Sequence, residues 1–491
     1  MSRGRLSARP ALLLFAAAVA AVAALAGQGA PAESHVVIFH NNDVHGKIDN
    51  FAKVAAILEA ERKSGADVFY LSAGDNFTGD PVIDRADPPG EPMIEILGRL
   101  HLDLLSLGNH EFDYGLDAVR KLVSRFPTTS ANIQPEPGVL PGLKPYVVLT
   151  GKSGVKLVVF GIIQIEPGNG LPSTHPDKVK GLRFTEPIAA ALSLRKLRGE
   201  GQVFIGLTHI GHDQDVVLAK QMPELDVIIG GHSHTRIDAP ELVNGVLITQ
   251  AGSDNQFLGR IDLTVRNGKV AAKTSRLIDL SKAKDEDADL KAMIAKFHED
   301  PAMARVVARS PIEITGKNAL GSLMTDAICK VFNLDVAFQN NGGIRVNKLP
   351  LAITYHDLYT LDPFGNQVVR LEMTADEIRG LIRASCERRR EIDLQVSGLT
   401  YIVRENGTQR IQEIELRGLN GAPLAEDKTY KVGLSSYVAS SYRFAHKEPG
   451  RTVGITSVEA LIMYLERRPD LGAYAEATRA LYVKPPAPQA D

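Results

Sequence analysis

The sequence predicts an α/β protein with two domains after an N-terminal targeting segment. From residue 35 to about 275, short runs of Val, Ile and Leu alternate with helix-favouring stretches, as in a sheet buried on both faces. Almost every run leads into a polar cluster, and in open α/β sheets ligands bind at the carboxyl ends of the strands. The charged stretch 281–307 then precedes a second alternation of helical and strand-like segments. We therefore expect a first domain at 33–280, a linker helix within 281–307 and a second domain at 308–485.

The first 32 residues have the composition of a secretory signal peptide. Three arginines precede an apolar, alanine-rich run, Ala11–Gly27, and the small residues "APA" at 30–32 fit a cleavage site. A membrane anchor is the alternative, but the run is only marginally long enough to span a bilayer. We therefore predict cleavage near Ala32 and an exported protein, periplasmic or extracellular, with no stable membrane insertion after cleavage.

The charge balance and the cysteine content exclude several classes of protein. The chain has 56 basic and 58 acidic residues, and cleavage would remove three arginines and no acid. This balance argues against a nucleic-acid-binding surface. Two cysteines, Cys329 and Cys386, are too few for a disulfide framework or a thiolate metal site. They could form one disulfide or remain two buried free thiols.

Apolar runs predict the strands of the first domain, and each is rich in aliphatic or aromatic residues. In the second domain, "ALGSLMTDAICKVF" carries apolar residues at helical spacing and predicts an amphipathic helix. The predicted strands are "HVVIFH", "VFYLSAG", "LDLLSLG", "LVVFGII", "VFIGLTH", "DVIIGGH" and "VLITQAG".

Asp, His and Asn side chains follow five of these strands and are candidate metal ligands. Residues two apart on an extended chain point to the same side, so Asp43 and His45 in "DVH" could reach one ion together, and so could His232 and His234. Carboxylate and imidazole without thiolate suit Zn, Mn or Fe(II). The set exceeds the needs of one tetrahedral site, whereas two ions that share Asp75 could use all of it. The candidates are Asp43, His45, Asp75, Asn109, His209, His232 and His234.

Each cluster also has a purely structural interpretation. A lone "DxH" is usually a turn, an Asp after a strand such as Asp75 is usually a helix cap, and a lone His such as His209 is usually a satisfied polar residue. Convergence favours the functional interpretation, because five clusters with ligand chemistry at the strand ends of one domain rarely arise from packing alone. Glycines in "AGD", "LGN" and "GGH" would let the backbone approach an ion without a Cβ in the way.

The order "DxH…GD…GNHE…H…GHxH" resembles that of the calcineurin-like metallophosphoesterases, and "GNHEFDYG" with "NNGGIR" resembles the 5′-nucleotidase family. The resemblance extends from about residue 35 to 480. It implies a four-layer-type β-sheet domain with helices, a smaller α/β C-terminal domain, and a site for two divalent metal ions. The family often has Gln where His234 stands. The implied ligands are Asp43, His45, Asp75 and His234 at one ion, and Asp75, Asn109, His209 and His232 at the other.

The same resemblance implies catalytic roles within "NHEFD". His110 would face the substrate as an imidazolium, and Asp113 would hold its ring in one orientation and raise its pKa. The implied reaction is hydrolysis by in-line attack of a metal-activated hydroxide on phosphorus. His110 would stabilise the transition state or protonate the leaving oxygen. Glu111 is expected to be structural rather than catalytic.

The second domain is expected to confer selectivity. Arg345 in "FQNNGGIR" could recognise a phosphate or carboxylate, or be a solvated Arg after a glycine turn. The segments "LDPFGNQVV" and "LQVSGLTY" resemble parts of the family's substrate cleft and make Asn366 a candidate substrate contact, with Phe364 assigned to the core. In "SSYVASSYRFA" the family's Gly-Gly-Asp turn is missing, but Tyr437 can supply a ring and is a further candidate contact. The family's first base-stacking ring is missing, since "EIDLQVSG" offers Ile, Asp and Leu there, so nucleotide specificity stays open.

We expect an exported dimetal phosphoester hydrolase that acts on nucleotides or related phosphate monoesters. Alternatives with the same site are a cyclic-nucleotide phosphodiesterase, a nucleotide-sugar hydrolase and a sulfur-ester hydrolase. A protein of another class, a non-catalytic metal-containing binding module, is disfavoured because it would have no use for His110 and Asp113 beside a full ligand set.

Overall fold

The computed structural model of the chain describes residues 33–167, 169–406, 410–475 and 478–485. The predicted signal peptide, residues 1–32, lies outside these ranges. Within the described ranges, no helix is both long enough and apolar enough to cross a membrane.

Two mixed β-sheets form the N-terminal region, and all of the strands predicted from the sequence are present. Their central strands are continuous apolar runs because both faces of each sheet are covered and the side chains on both sides avoid water. The described strands of this region are β1 (Glu33–Asn41), β2 (Asp67–Ser72), β3 (Leu104–Ser106), β4 (Thr128–Thr129), β5 (Ile133–Pro135), β6 (Leu143–Lys144), β7 (Tyr146–Thr150), β8 (Lys156–Ile163), β9 (Leu182–Phe184), β10 (Val203–His209), β11 (Val227–Ile229), β12 (Glu241–Val243), β13 (Val246–Thr249), β14 (Phe257–Arg266) and β15 (Lys269–Asp279).

The two sheets pack face to face. The first has the order β15-β14-β1-β2-β3-β4-β6, and its strands from β1 to β6 are parallel. The second has the order β12-β13-β11-β10-β8-β7, with parallel strands between the antiparallel edges β12 and β7. Ile38 and Leu71 of the first sheet share a core cluster with Val159 and Ile205 of the second. Side chains of the two sheets therefore fill one interior between them.

Helices cover the outer faces of both sheets and complete the four predicted layers. Leu58 and Leu97 pack on the first sheet, and Ala191 and Leu218 pack on the second. The described helices here are α1 (Phe51–Arg62), α2 (Pro81–Asp84), α3 (Glu91–Arg99), α4 (Leu116–Arg125), α5 (Pro187–Ser193) and α6 (His212–Gln221), with 3-10 helices at His110–Phe112, Pro176–Val179 and Arg195–Glu200.

The predicted linker contains helix α7 (Ala288–Phe297). Asp287 caps it by accepting a hydrogen bond from Leu290 N at 2.7 Å. Leu290 and Ile294 are buried in the same cluster as the helices on the first sheet. The helix is therefore packed against the N-terminal region, and the exact domain boundaries remain predictions.

The C-terminal region is a second α/β unit. The predicted amphipathic helix is present as α8 and buries Leu320, Leu323 and Met324. Cys329 and Cys386 are both buried free thiols, so they do not form a disulfide with each other. The described helices are α8 (Lys317–Phe332), α9 (Tyr355–Leu361), α10 (Ala375–Arg389), α11 (Ser436–Ser441) and α12 (Ser457–Glu466), with 3-10 helices at Asn341–Gly343 and Leu471–Tyr474.

A five-stranded sheet forms the centre of this unit, and Phe338 and Leu371 on it pack against Ile378 and Leu381 of α10. The described strands are β16 (Val306–Arg309), β17 (Ile314–Thr315), β18 (Val336–Asn340), β19 (Lys348–Leu349), β20 (Ala352–Thr354), β21 (Gln367–Thr374), β22 (Leu394–Ser397), β23 (Leu399–Glu405), β24 (Ile411–Gly418), β25 (Thr429–Ser435), β26 (Arg451–Thr456) and β27 (Ala480–Val483). The sheet has the order β22-β18-β25-β21-β26, and a smaller sheet has the order β24-β23-β27.

Candidate metal and catalytic centre

The predicted ligands lie at the carboxyl ends of strands from both sheets, most of them in the loops that follow the strands. Asp43 follows β1, Asp75 follows β2, and His209 is the last residue of β10. These loops bond directly to one another: His45 N donates to Asp75 O at 3.0 Å, and His232 N donates to Asp43 Oδ2 at 3.0 Å. The structure thus brings together polar clusters that are far apart in the sequence.

Most of the predicted ligands have a left-handed backbone. Residues other than glycine rarely adopt this conformation, and its cost is tolerated mainly at functional sites. The expectation that each pair of ligands lies on an extended chain is therefore wrong, since β1 and β11 both end before the ligands begin. Turns, and not strand alternation, direct these side chains. The left-handed ligands are Asp43 and His45 (φ +50°), Asp75 and His234 (φ +56°) and His232 (φ +79°).

One group of potential ligand atoms joins Asp43, His45 and His234. The Nε2 atoms of His45 and His234 lie 3.0 Å apart, and Asp43 Oδ1 lies 3.4 Å from His234 Nε2. Nδ1 of His45 lies 3.1 Å from Thr78 O, to which it can donate a hydrogen bond. In the tautomer that makes this bond, the Nε2 lone pair is directed to the side of His234. Arg345 Nη2 lies 3.1 Å from Nδ1 and 3.0 Å from Nε2 of the same ring.

A second group joins Asp75, His209 and His232. Asp75 Oδ2 lies 3.0 Å from His209 Nε2, and His209 Nδ1 lies 2.7 Å from Ala73 O. Asn109 Oδ1 lies 3.1 Å from Nδ1 of His232. His232 and His234 therefore belong to different groups, contrary to the expectation that they point the same way.

Three of the four candidate histidines are neutral at pH 7, the form that binds a cation, and His209 is the exception. Burial lowers the pKa of His232 to about 3 and that of His234 to about 4, so both rings are neutral at pH 7. Burial also lowers the pKa of His45, and the Arg345 guanidinium adds to the effect. Burial disfavours a charge on His209 as well, but the Asp75 carboxylate outweighs it and raises the pKa of His209 to about 10.

The donor set fits a pair of divalent ions. The Nε2 atoms of His45 and His234 lie 3.0 Å apart and belong with Asp43 to one group of atoms that could hold a cation. Neutral imidazole and carboxylate are the ligand forms for Zn, Mn and Fe(II). Asp75 belongs to one group with His45 and His110 and to another with His209 and His232, so it could contribute to the sites of two ions. Metal binding at His209 would displace its proton.

Buried side chains behind the ligands hold the loops in place. Asn42 donates to Asp43 Oδ2 at 2.7 Å and was missed by the sequence analysis. Gln250, in the predicted strand "VLITQAG", accepts a hydrogen bond from Thr235 N at 2.5 Å beside His234, and was also missed. The Glu111 carboxylate accepts hydrogen bonds from three backbone amides of the neighbouring loops, consistent with a structural role.

Two glycines allow the close approach of backbone to ligands that the sequence predicted. A Cβ on Gly108 would overlap Asp75 Oδ1, and a Cβ on Gly231 would lie 2.7 Å from His209 Nδ1. Neither contact is possible, so only glycine fits at these positions.

His110 and Asp113 form a hydrogen-bonded pair at the edge of the ligand cluster. His110 Nδ1 lies 2.6 Å from Asp113 Oδ2, and Thr174 Oγ1 donates to the other carboxylate oxygen at 2.8 Å. His110 Nε2 lies 4.0 Å from Asp75 Oδ2. Burial disfavours the imidazolium, but the carboxylates of Asp75 and Asp113 outweigh it and raise the pKa of His110. The pair therefore favours a protonated His110 whose Nε2 is directed towards the ligand cluster.

The C-terminal region contributes Arg345 and Phe364 to this centre. Arg345 Nη2 lies 3.0 Å from His45 Nε2, and the guanidinium carbon lies 5.7 Å from the centre of the Phe364 ring. The Phe364 ring stacks on His110 with centroids 5.6 Å apart. The assignment of Phe364 to the core is therefore wrong, because the ring is only partly buried and contacts the catalytic candidate. The adjoining Pro and Gly of "DPFG" indicate a loop and could have signalled this position.

The other two predicted substrate residues are connected through Ser436. Asn366 Oδ1 accepts a hydrogen bond from Ser436 Oγ at 3.1 Å, one residue before Tyr437. The Tyr437 ring packs edge-on against Tyr442, whose hydroxyl donates to the Asp393 carboxylate. Asn366 and Tyr437 thus lie in one part of the C-terminal region, while Arg345 contacts His45.

Comparison with known proteins gives matches over both regions. Residues 36–236 match the family model for calcineurin-like phosphoesterase, and residues 294–443 match that for the 5′-nucleotidase C-terminal domain. The chain is 27% identical over 557 residues to a 5′-nucleotidase of Vibrio cholerae serotype O1, covering 94% of this chain and 98% of the relative. It is 25% identical to Endonuclease YhcR of Bacillus subtilis over 92% of this chain, but spans only 41% of that relative's length.

A solved structure supports the same fold. The crystal structure of a 5′-nucleotidase precursor from Thermus thermophilus matches with a TM-score of 0.79 at 23% identity. The match covers 92% of this chain and all of the other.

Proposed function

Since this chain belongs to the 5′-nucleotidase family of calcineurin-like metallophosphoesterases, we propose that it is an exported hydrolase of nucleotides or related phosphate monoesters. One observation carries the proposal: the candidate ligand atoms for both ions lie together beside the His110–Asp113 pair. A binding module would need the ligands but not that pair. Export rests on the predicted signal peptide.

We propose that the ligand groups hold two divalent ions of the Zn, Mn or Fe class. When bound, such ions supply Lewis acidity, which lowers the pKa of water and neutralises charge on phosphoryl oxygens. Asp75 would belong to both sites. The proposed ligands are Asp43, His45, Asp75 and His234 for one ion, and Asp75, Asn109, His209 and His232 for the other.

In this proposal His110 acts as the proton donor. Asp113 accepts a hydrogen bond from the Nδ1–H of His110. The second N–H of the imidazolium is therefore at Nε2, which faces the ligand cluster. From there it can be donated to a phosphoryl or leaving-group oxygen. Phe364 stacks on the ring, which limits its rotation and keeps water from one face.

The proposed substrate is a phosphate monoester that lies between the two regions. Arg345 presents a guanidinium beside the ligand cluster, which is suited to a phosphate or carboxylate oxygen. Tyr437 and Asn366 would contact the part of the substrate beyond the phosphate. The Asp393 carboxylate stands in the segment where the family has a ring, and the hydroxyl of Tyr442 donates a hydrogen bond to it.

The test is the replacement His110→Asn, with phosphate release measured from a nucleoside monophosphate and from an aryl phosphate. Loss of a general acid lowers turnover by roughly 100- to 10,000-fold. The metal content should stay at the wild-type level. His101→Asn is the matched control, because His101 is exposed and its left-handed backbone (φ +54°) suits Asn.

Near-normal turnover of His110→Asn would remove the catalytic assignment. Wild-type protein that releases no phosphate from either substrate, with metal bound, would refute the proposed function.

A further inference from the structure

Tyr114 is the second-last residue of "GNHEFDYG", and the proposed hydrolysis does not use it. Its hydroxyl accepts a hydrogen bond from Thr78 N at 2.9 Å and donates one to Asp84 Oδ1. Its ring packs on Phe77, with centroids 5.1 Å apart. The hydroxyl therefore links the stretch that carries His110 to the loop that follows β2.

The loop at Thr78 supports a ligand of the other group. Thr78 O lies 3.1 Å from Nδ1 of His45 and can accept a hydrogen bond from it, so this carbonyl orients the ring. The backbone is left-handed at Thr78 (φ +59°), and Gly79 has a φ of +141°. A Cβ on Gly79 would lie 2.7 Å from His45 O, so the loop packs tightly on His45.

Hydrogen bonds to two side chains hold the strained backbone at Thr78 and Gly79 in place. The amide of Thr78 donates to Tyr114, and the amide of Gly79 donates to Asp84, the carboxylate that also accepts from Tyr114. Without the Tyr114 hydroxyl, the Thr78 amide loses its acceptor, and the loop can relax towards an unstrained conformation. The carbonyl that orients His45 would move with it.

We propose that Tyr114 is a positioning residue that holds the Thr78 carbonyl against His45 and thereby sets the affinity of the metal ion that His45 ligates. The inference rests on the proposed function, because it requires His45 to be a ligand. It concerns only one of the two proposed ions, the one assigned to Asp43, His45, Asp75 and His234.

The test is a calorimetric titration with Mn²⁺ of full-length chain from which metal has been removed. Removing groups that support a metal ligand weakens metal binding by roughly 10- to 100-fold. Tyr114 does not contact His45 directly but acts through Thr78. We therefore expect binding of one Mn²⁺ equivalent to be about tenfold weaker in Tyr114→Phe, the lower end of that range. The other equivalent should bind as in wild type.

Tyr70→Phe is the matched control. Tyr70 is a fully buried tyrosine whose hydroxyl has no hydrogen-bond partner in the described part of the chain, so its loss should leave Mn²⁺ binding unchanged. Asp84→Asn keeps an acceptor oxygen for the Tyr114 hydroxyl and should retain affinities within about twofold of wild type. Circular dichroism verifies the fold of each variant.

Several results would overturn the inference. They are unchanged binding in Tyr114→Phe, equal weakening of both equivalents, an Asp84→Asn effect as large as that of Tyr114→Phe, or a Tyr114→Phe chain that does not fold. Wild-type protein that binds no Mn²⁺ would instead refute the proposed function. The two failures are therefore distinguishable.

Discussion

Replacing Glu111 with glutamine tests whether this residue holds the ligand loops or takes part in chemistry. The buried carboxylate accepts four hydrogen bonds. Oε2 accepts from Asp75 N at 2.9 Å and Gly108 N at 2.7 Å, and Oε1 accepts from Asn76 N at 2.7 Å and Asn76 Nδ2 at 3.2 Å. Glutamine keeps one oxygen, so two of these donors would face an NH₂ group whichever way the amide turns.

The magnitude follows from those two donors. A buried donor without an acceptor costs about 1–3 kcal/mol, so Glu111→Gln should lower the free energy of unfolding by about 2–6 kcal/mol. Urea unfolding of metal-free protein, followed by circular dichroism, measures this loss without a contribution from bound metal. Glu95→Gln, at an exposed glutamate of α3, is the matched control and should change stability by less than about 0.5 kcal/mol. A Glu111→Gln chain as stable as the control would refute the structural role.

Two further predictions concern the C-terminal region. Burial raises the pKa of Asp362 from 3.8 to about 6, so the folded state prefers the protonated form. No stability is lost below about pH 4, because both states are protonated there, and the loss is complete once the pH has risen through 6. Between pH 4.5 and 7.5, wild type should therefore lose about 2 kcal/mol of unfolding free energy relative to Asp362→Asn in urea unfolding, and parallel pH profiles would contradict this. Arg345→Lys loses the two-pronged guanidinium and should lower kcat/KM for a phosphate monoester by roughly 10- to 100-fold, which is the contribution of one charge-assisted hydrogen bond. An unchanged kcat/KM would exclude Arg345 from the substrate site.

The sequence could predict where the centre lies because its signals are local. A buried strand followed by Gly and a polar residue, as at Gly108 and Asn109, indicates both the strand end and the close backbone approach seen at Asp75. The four-layer fold and the ligand types followed from such signals and from the family resemblance.

The direction of each ligand side chain could not be predicted from local rules. The alternation argument placed His232 and His234 on one side, but both have a left-handed backbone and they belong to different ligand groups. That conformation is maintained by tertiary contacts, such as those of Gln250 with the loop around Thr235. Alternation applies only to an extended chain.

Contacts between residues far apart in the sequence could not be predicted either. A Phe in a sequence is most often core, and nothing local shows that Phe364 stacks on His110 from more than 200 residues away. The hydroxyl of Tyr114 poses the same difficulty, since its partners Thr78 and Asp84 follow a different strand. Long-range partners of this kind require the folded structure.

The metal content of the purified protein tests the central claim most directly. Elemental analysis of the wild type after exchange into Mn²⁺ or Zn²⁺ should find two ions per chain, and Asp75→Asn should find fewer because that residue belongs to ligand groups on both sides. Only trace amounts of metal in folded wild-type protein would contradict the account.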